Sequence, residues 1–143
     1  MQPLPITSLL LIALAFGMVL LSAVTIRRRR RAGISVGDGG DESLTRAIRA
    51  QGNMFESSVV FVGLIALLEN GLMGSAVLAP LAAMFVLSRA IHAYGILVAE
   101  PRTERGQGRF RWRVLGISAS LTLMSVAAIL LLVELILDQV IVF

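Results

Sequence analysis

The sequence predicts an all-α fold: an integral membrane bundle of four helices. Three observations carry this prediction. The chain is 57% hydrophobic and only 15% charged, with a mean hydropathy of +0.86, whereas a soluble domain carries about 25% charged residues. Two runs, Leu4 to Ile26 and Val114 to Val133, hold 23 and 20 residues without a charge, and about 20 apolar residues span a bilayer core. All 13 basic residues are Arg, and 12 of them fall in two windows, 27–49 and 102–113, which flank apolar runs as orientation signals do. A length of 143 residues suits a single membrane domain over 1–143.

The first helix is expected over about 4–26. Pro3 and Pro5 stand at its start, where a missing N–H costs least. No positive charge precedes the run apart from the N-terminus, and Arg27 to Arg31 follow it. That order is the reverse of a signal peptide and predicts a retained helix stopped by the arginines. Four glycines in the eight residues 33–40 predict a flexible linker. Its Asp and Glu residues lack the spacing of a calcium loop. Asp41 or Ser43 is the expected N-cap of the second helix.

The second helix is expected over about 42–68. Its charge-free part, Ser57 to Leu68, has 12 residues, roughly 18 Å of helix and too short for about 30 Å of hydrocarbon. Asn53 and Glu56 must therefore lie within the membrane. Arg46, Arg49, Asn53 and Glu56 are spaced 3, 4 and 3, which places them within about 80° of one helix face. Glu69-Asn70-Gly71 reads as a tight turn with Gly71 as C-cap. The third helix is expected over about 73–99, with Pro80 either kinking it or marking its start. The polar loop from Glu100 holds five Arg, and the fourth helix is expected over about 114–137. The arginine asymmetry sends both basic loops to the cytoplasm and both termini outside, in a membrane expected to be a bacterial inner membrane. Arginines in this pattern attract anionic lipid headgroups; they argue against a nucleic-acid partner.

An ionisable residue inside a membrane is costly and marks a functional site by default. Glu56, Arg89 and His92 are the candidates. Counting from the cytoplasmic ends of their helices, Glu56 lies roughly 9 Å deep and Arg89 roughly 12 Å deep. The two are expected to meet at one level, with Asn53 and His92 one turn nearer the cytoplasm and Arg49 and Tyr94 nearer the mouth. Two readings follow: an ion pair that fixes helix packing, or a cation-rich pocket for an anionic ligand with an amine. In the second, arginines take carboxylates, Glu56 the ammonium, and Asn53 and Gln51 the peptide groups. A single His and no Cys leave no ligand set for haem or metal. His92 is expected to be a hydrogen-bonding residue, with acid–base chemistry secondary.

These residues carry a resemblance. Arg49-Ala50-Gln51-Gly52-Asn53-Met54-Phe55-Glu56 is similar to the signature of the MAPEG family, the membrane-associated proteins in eicosanoid and glutathione metabolism. Arg89-Ala90-Ile91-His92-Ala93-Tyr94-Gly95 and Arg113-Val114-Leu115-Gly116 resemble its bacterial members. The resemblance implies a homotrimer with glutathione, as co-substrate, bound between subunits near the cytoplasmic face. Arg49, Gln51, Asn53, Glu56 and Arg89 would hold it, with His92 and Tyr94 beside them. The eukaryotic enzymes follow the glutamate with a Tyr and a nearby Pro, where this chain has Ser57, Ser58 and Val59. They also use an Arg beyond the third helix to stabilise the thiolate, and Arg102 and Arg105 both stand close to that place.

The activity implied is a glutathione-dependent transferase or peroxidase acting on an apolar electrophile or lipid hydroperoxide from the bilayer. The rival is a non-catalytic trimeric scaffold or a lipid- or glutathione-binding protein. A four-helix cation exporter is disfavoured because the first helix holds no acidic residue.

Overall fold

A computed structural model describes residues 4–71, 73–100 and 110–141. Four helices follow in order: α1 Pro5–Ala32, α2 Glu42–Asn70, α3 Ser75–Tyr94 and α4 Phe110–Ile141, with a π-helical turn, Gly95–Ala99, continuing α3. The described residues contain no strand. Each helix, with the π turn counted into α3, is long and apolar enough to cross a membrane.

The ends that meet fix the packing as antiparallel neighbours. The end of α2 touches the start of α1 through Glu69 and Thr7. The end of α3 lies on the start of α4, where Gly116 abuts His92. Across the middle, Phe61 of α2 and Phe85 of α3 stack with ring centroids 3.9 Å apart. Leu10 and Leu14 of α1, Ile65 and Leu68 of α2, Leu78 of α3 and Ala127 of α4 complete the core around them. Outward-facing Leu9, Ile12, Phe16 and Leu20 of α1, and Ile129, Leu132 and Ile136 of α4, leave broad apolar faces uncovered. In a membrane, lipid or another subunit is the solvent for such faces.

The helices outrun the charge-free stretches that predict them. Arg27–Arg31 do not stop α1. They form its last turn and a half, and Gly33 ends the helix in the left-handed conformation with φ 67°. Arginine is a good helix former, and cations complement the C-terminal dipole. Helix α4 begins at Phe110 rather than near 114 and runs past 137, its charged flanking turns continuing the helix. Pro80 lies inside α3 as its sixth residue, where it removes the hydrogen-bond donor to the Ala76 carbonyl.

The glycine-rich segment is a built turn, not a loose linker. Arg29 donates to the Ser35 and Gly37 carbonyls, Asp38 accepts from Gly40 N–H at 3.1 Å and from the Thr45 hydroxyl at 2.8 Å. Asp41 caps α2 by accepting from Leu44 N–H at 2.7 Å. These donors hold the Asp38 carboxyl below the usual carboxylate range, Gly40 first and Thr45 next.

Helix α1 has no capping side chain of its own. Its first-turn donors go to Glu69 at the far end of α2, which accepts from Ile6 N–H, Thr7 N–H and the Thr7 hydroxyl at 2.7, 2.7 and 2.6 Å. Two residues on, Gly71 ends α2 with a φ of −90°. The Glu134 carboxylate packs close against it, 2.2 Å from where a Cβ would stand.

Candidate functional site

Helix α2 presents Thr45, Arg46, Arg49 and Asn53 along one face, as the 3-and-4 spacing requires. Opposite stand His92 and Ile96 of the α3 rod, Glu100 after the π turn, and Arg113 and Ile117 of α4. Together they line a polar cleft of about 450 Å³.

The α3–α4 crossing sets the cleft wall, and two glycines make it close. A Cβ on Gly116 would meet His92 backbone N at 2.6 Å, and one on Gly95 would meet Arg113 backbone N at 2.5 Å. Each helix thus gives a glycine to the other three residues from its own contact. The approach puts His92 Nδ1 at 3.1 Å from the Arg113 carbonyl. Beyond it, the Ser88 and Ser120 hydroxyls lie 2.5 Å apart, in reach also of the Phe85 and Gly116 carbonyls. The π turn begins at Gly95, and its wider winding carries Glu100 N–H to the Gly95 carbonyl at 3.0 Å. Single π turns of this kind recur at functional sites.

Arg89 is 1% exposed and ties three helices. Its Nη1 donates to Asn53 Oδ1 at 2.8 Å and Ser57 Oγ at 3.2 Å on α2, and its Nη2 donates to the Gly116 carbonyl at 3.1 Å on α4. The expected meeting with Glu56 does not occur. Arg89 takes neutral oxygens instead, and Glu56 is exposed, with no ion pair among the described residues. The angular spread across the α2 face explains the difference: Asn53 and Ser57 point into the three-helix junction, and Glu56 flanks it.

The remaining predicted residues divide. Arg49, Asn53 and His92 come together in the cleft, and Arg89 adjoins it through Asn53. Gln51 lies on the opposite side of α2 and donates to Ser22 of α1 at 3.0 Å. Tyr94 is exposed and sets its ring edge-on to Trp112 at 6.1 Å. Arg102 and Arg105 lie outside the described residues.

Arg113 and Glu100 are cleft residues that the sequence did not single out for this role. The only signal was the place of Arg113 three residues before Gly116. Their ion pair is loose at 3.4 Å, longer than the roughly 2.7–2.9 Å of a tight charge-assisted bond. The lining carries three Arg against one Glu, so the cleft favours an anion, and guanidinium forks match carboxylates.

The sequence profile of the MAPEG family matches residues 7–133, from the first turn of α1 to the apolar end of α4. No curated protein and no solved structure gives a significant match. With the signature of α2 and the α3–α4 crossing both inside the matched span, the chain belongs to the MAPEG family.

Proposed function

We propose that this protein binds glutathione in the polar cleft and works as a glutathione-dependent transferase or peroxidase. The observation that carries the reading is the convergence of Arg49 and Asn53 with His92 and Arg113 in a cleft with excess positive charge. Glutathione has two carboxylates, an ammonium and two peptide groups. Arg49 and Arg113 suit the carboxylates, and Asn53 suits a peptide group. Family membership supports the same ligand, and a chain without Cys relies on the ligand's sulfur.

The assembly belongs to the proposal. An exposed carboxylate at membrane depth costs about 2.5–3.5 kcal/mol, so Glu56 calls for a covering group. In a homotrimer a neighbouring subunit would cover it, and Glu56 would take the ligand's ammonium. Gln51 and Tyr94 would act across the same interface. Arg102 or Arg105 would stabilise the thiolate, since an adjacent cation favours the ionised thiol. The second substrate would be an apolar electrophile or lipid hydroperoxide. An apolar groove of about 360 Å³ between α1 and α2, lined by Leu14, Met18, Met54 and Val59, would seat such a molecule on the other side of α2. The proposed setting is a bacterial inner membrane with the basic loops cytoplasmic.

A second reading, a non-catalytic glutathione- or lipid-binding trimer, is favoured by one observation. Ser57, directly after the signature glutamate, is committed to Arg89. The test is glutathione binding to detergent-purified protein, with the ultraviolet band of the thiolate read at neutral pH. Saturable binding with the band supports the transferase or peroxidase; binding without it supports the second reading. Arg49→Ala is expected to weaken binding about 10- to 100-fold, the loss of one charged hydrogen-bonding partner. Unchanged affinity would remove the cleft from consideration.

A further inference from the structure

His92 is the chain's single histidine and is 3% exposed. Its Nδ1 stands 3.1 Å from the Arg113 carbonyl. A carbonyl only accepts, so Nδ1 carries the hydrogen and donates. In the neutral ring that fixes Nε2 as a bare lone pair. Nε2 is buried and has no hydrogen-bond partner among the described residues, although His92 lines the polar cleft. Buried polar atoms are satisfied in the great majority of cases, and each exception calls for an explanation.

The surroundings narrow what Nε2 serves. Arg46 and Arg49 face the cleft from α2, Arg113 from α4, and Glu100 from the end of the π turn. Arg89 sits one turn back on α3. Every cation there is a donor. A neutral ring fits among guanidiniums, and none of the lining arginines donates to its acceptor: Arg46 pairs with Glu42 and Arg113 with Glu100. The missing partner is a donor on the ligand that becomes an anion when it gives up its proton.

We propose that His92 Nε2 accepts the thiol proton of bound glutathione. The inference rests on the glutathione reading of the cleft. The S–H bond breaks, an N–H bond forms at Nε2, and the electron pair stays on sulfur. The products are a thiolate and an imidazolium side by side, so net charge is unchanged and the new cation has its own counterion. Arg113 has two duties: its carbonyl holds the ring in the accepting tautomer, and its guanidinium adds to the field that favours the thiolate. An arginine alone stabilises a thiolate but takes no proton, and His92 supplies that second function.

Because the chain has one histidine, the test needs no mutation. Protein labelled with ¹⁵N-histidine gives one imidazole, whose two nitrogens report tautomer and protonation separately. Without ligand, one nitrogen is expected in the protonated range and the other in the bare range. Glutathione at neutral pH is expected to move the bare nitrogen into the protonated range. S-methylglutathione, which has the same charges but no thiol proton, is expected to bind and leave it bare. If glutathione binds and the nitrogen stays bare, or if both ligands protonate it, the proposal is wrong while the glutathione reading stands. If calorimetry detects neither ligand, the glutathione reading fails and the proposal fails with it.

Discussion

Arg89 and the two crossing glycines show how much a single position decides. Arg89 stands out in the sequence because an arginine in an apolar run is rare, but its partners were not legible there. Depth counting places residues along a helix axis and cannot tell Asn53 from Glu56 around it. The structure makes Arg89 a tie among α2, α3 and α4, so Arg89→Ala is expected to lower stability by about 2–4 kcal/mol, since the hydrogen bonds of one buried cation to Asn53, Ser57 and Gly116 are lost. Thermal unfolding in detergent checks this, and an unshifted midpoint would show that the junction holds without it. Gly116→Ala is expected to cost about 1–3 kcal/mol by forcing α4 off His92. Gly63 of α2 has open space at its Cβ position, so Gly63→Ala is expected to be neutral or to stabilise by up to about 1 kcal/mol. Equal effects at the two sites would refute the close-crossing account.

The existence and order of the helices were legible, and their ends were not. Charge-free runs mark where hydrocarbon lies, and a helix continues wherever its flanks favour it, as at Arg27–Arg31 and Phe110–Arg113. The turn at 33–40 was misread for a related reason. Four glycines suggest looseness, yet all four have positive φ, the conformation that glycine adopts without strain, and Arg29 and Asp38 hold them there. The hydrogen bonds to Asp38 depress its folded pKa, so their contribution is complete above the ordinary carboxylate value of about 3.9. It is lost as pH falls through the lower, folded value. The Gly40 amide resonance, followed through an acid titration, should therefore shift with a midpoint below the ordinary value; a midpoint at or above it would place Asp38 outside the turn. At the opposite end, Glu69→Ala removes the carboxylate that caps the first turn of α1 and is expected to cost about 1–2 kcal/mol. Hydrogen exchange should quicken at Ile6 and Thr7, and unchanged protection there would mean the cap is dispensable.

At the scale of the whole molecule, the family and the membrane bundle were legible because spacing within one helix is a sequence property. The cleft was legible only on its α2 and α3 sides. Arg113 and Glu100 reach it through the α3–α4 crossing, which no local pattern encodes. Glu56 raises the question of assembly. If a second subunit covers it, Glu56→Gln is expected to alter the oligomer distribution or glutathione affinity, measured by native mass spectrometry and calorimetry, and no change in either would leave Glu56 facing lipid. The cap on α1 has a consequence of another kind, in time. Glu69 follows Ile6 and Thr7 by 63 and 62 residues. At about 5–20 residues per second on the ribosome, the first helix waits some ~3–12 seconds for the side chain that closes its open end. The newborn chain therefore passes through a stage in which its leading segment is complete in sequence and unfinished in structure.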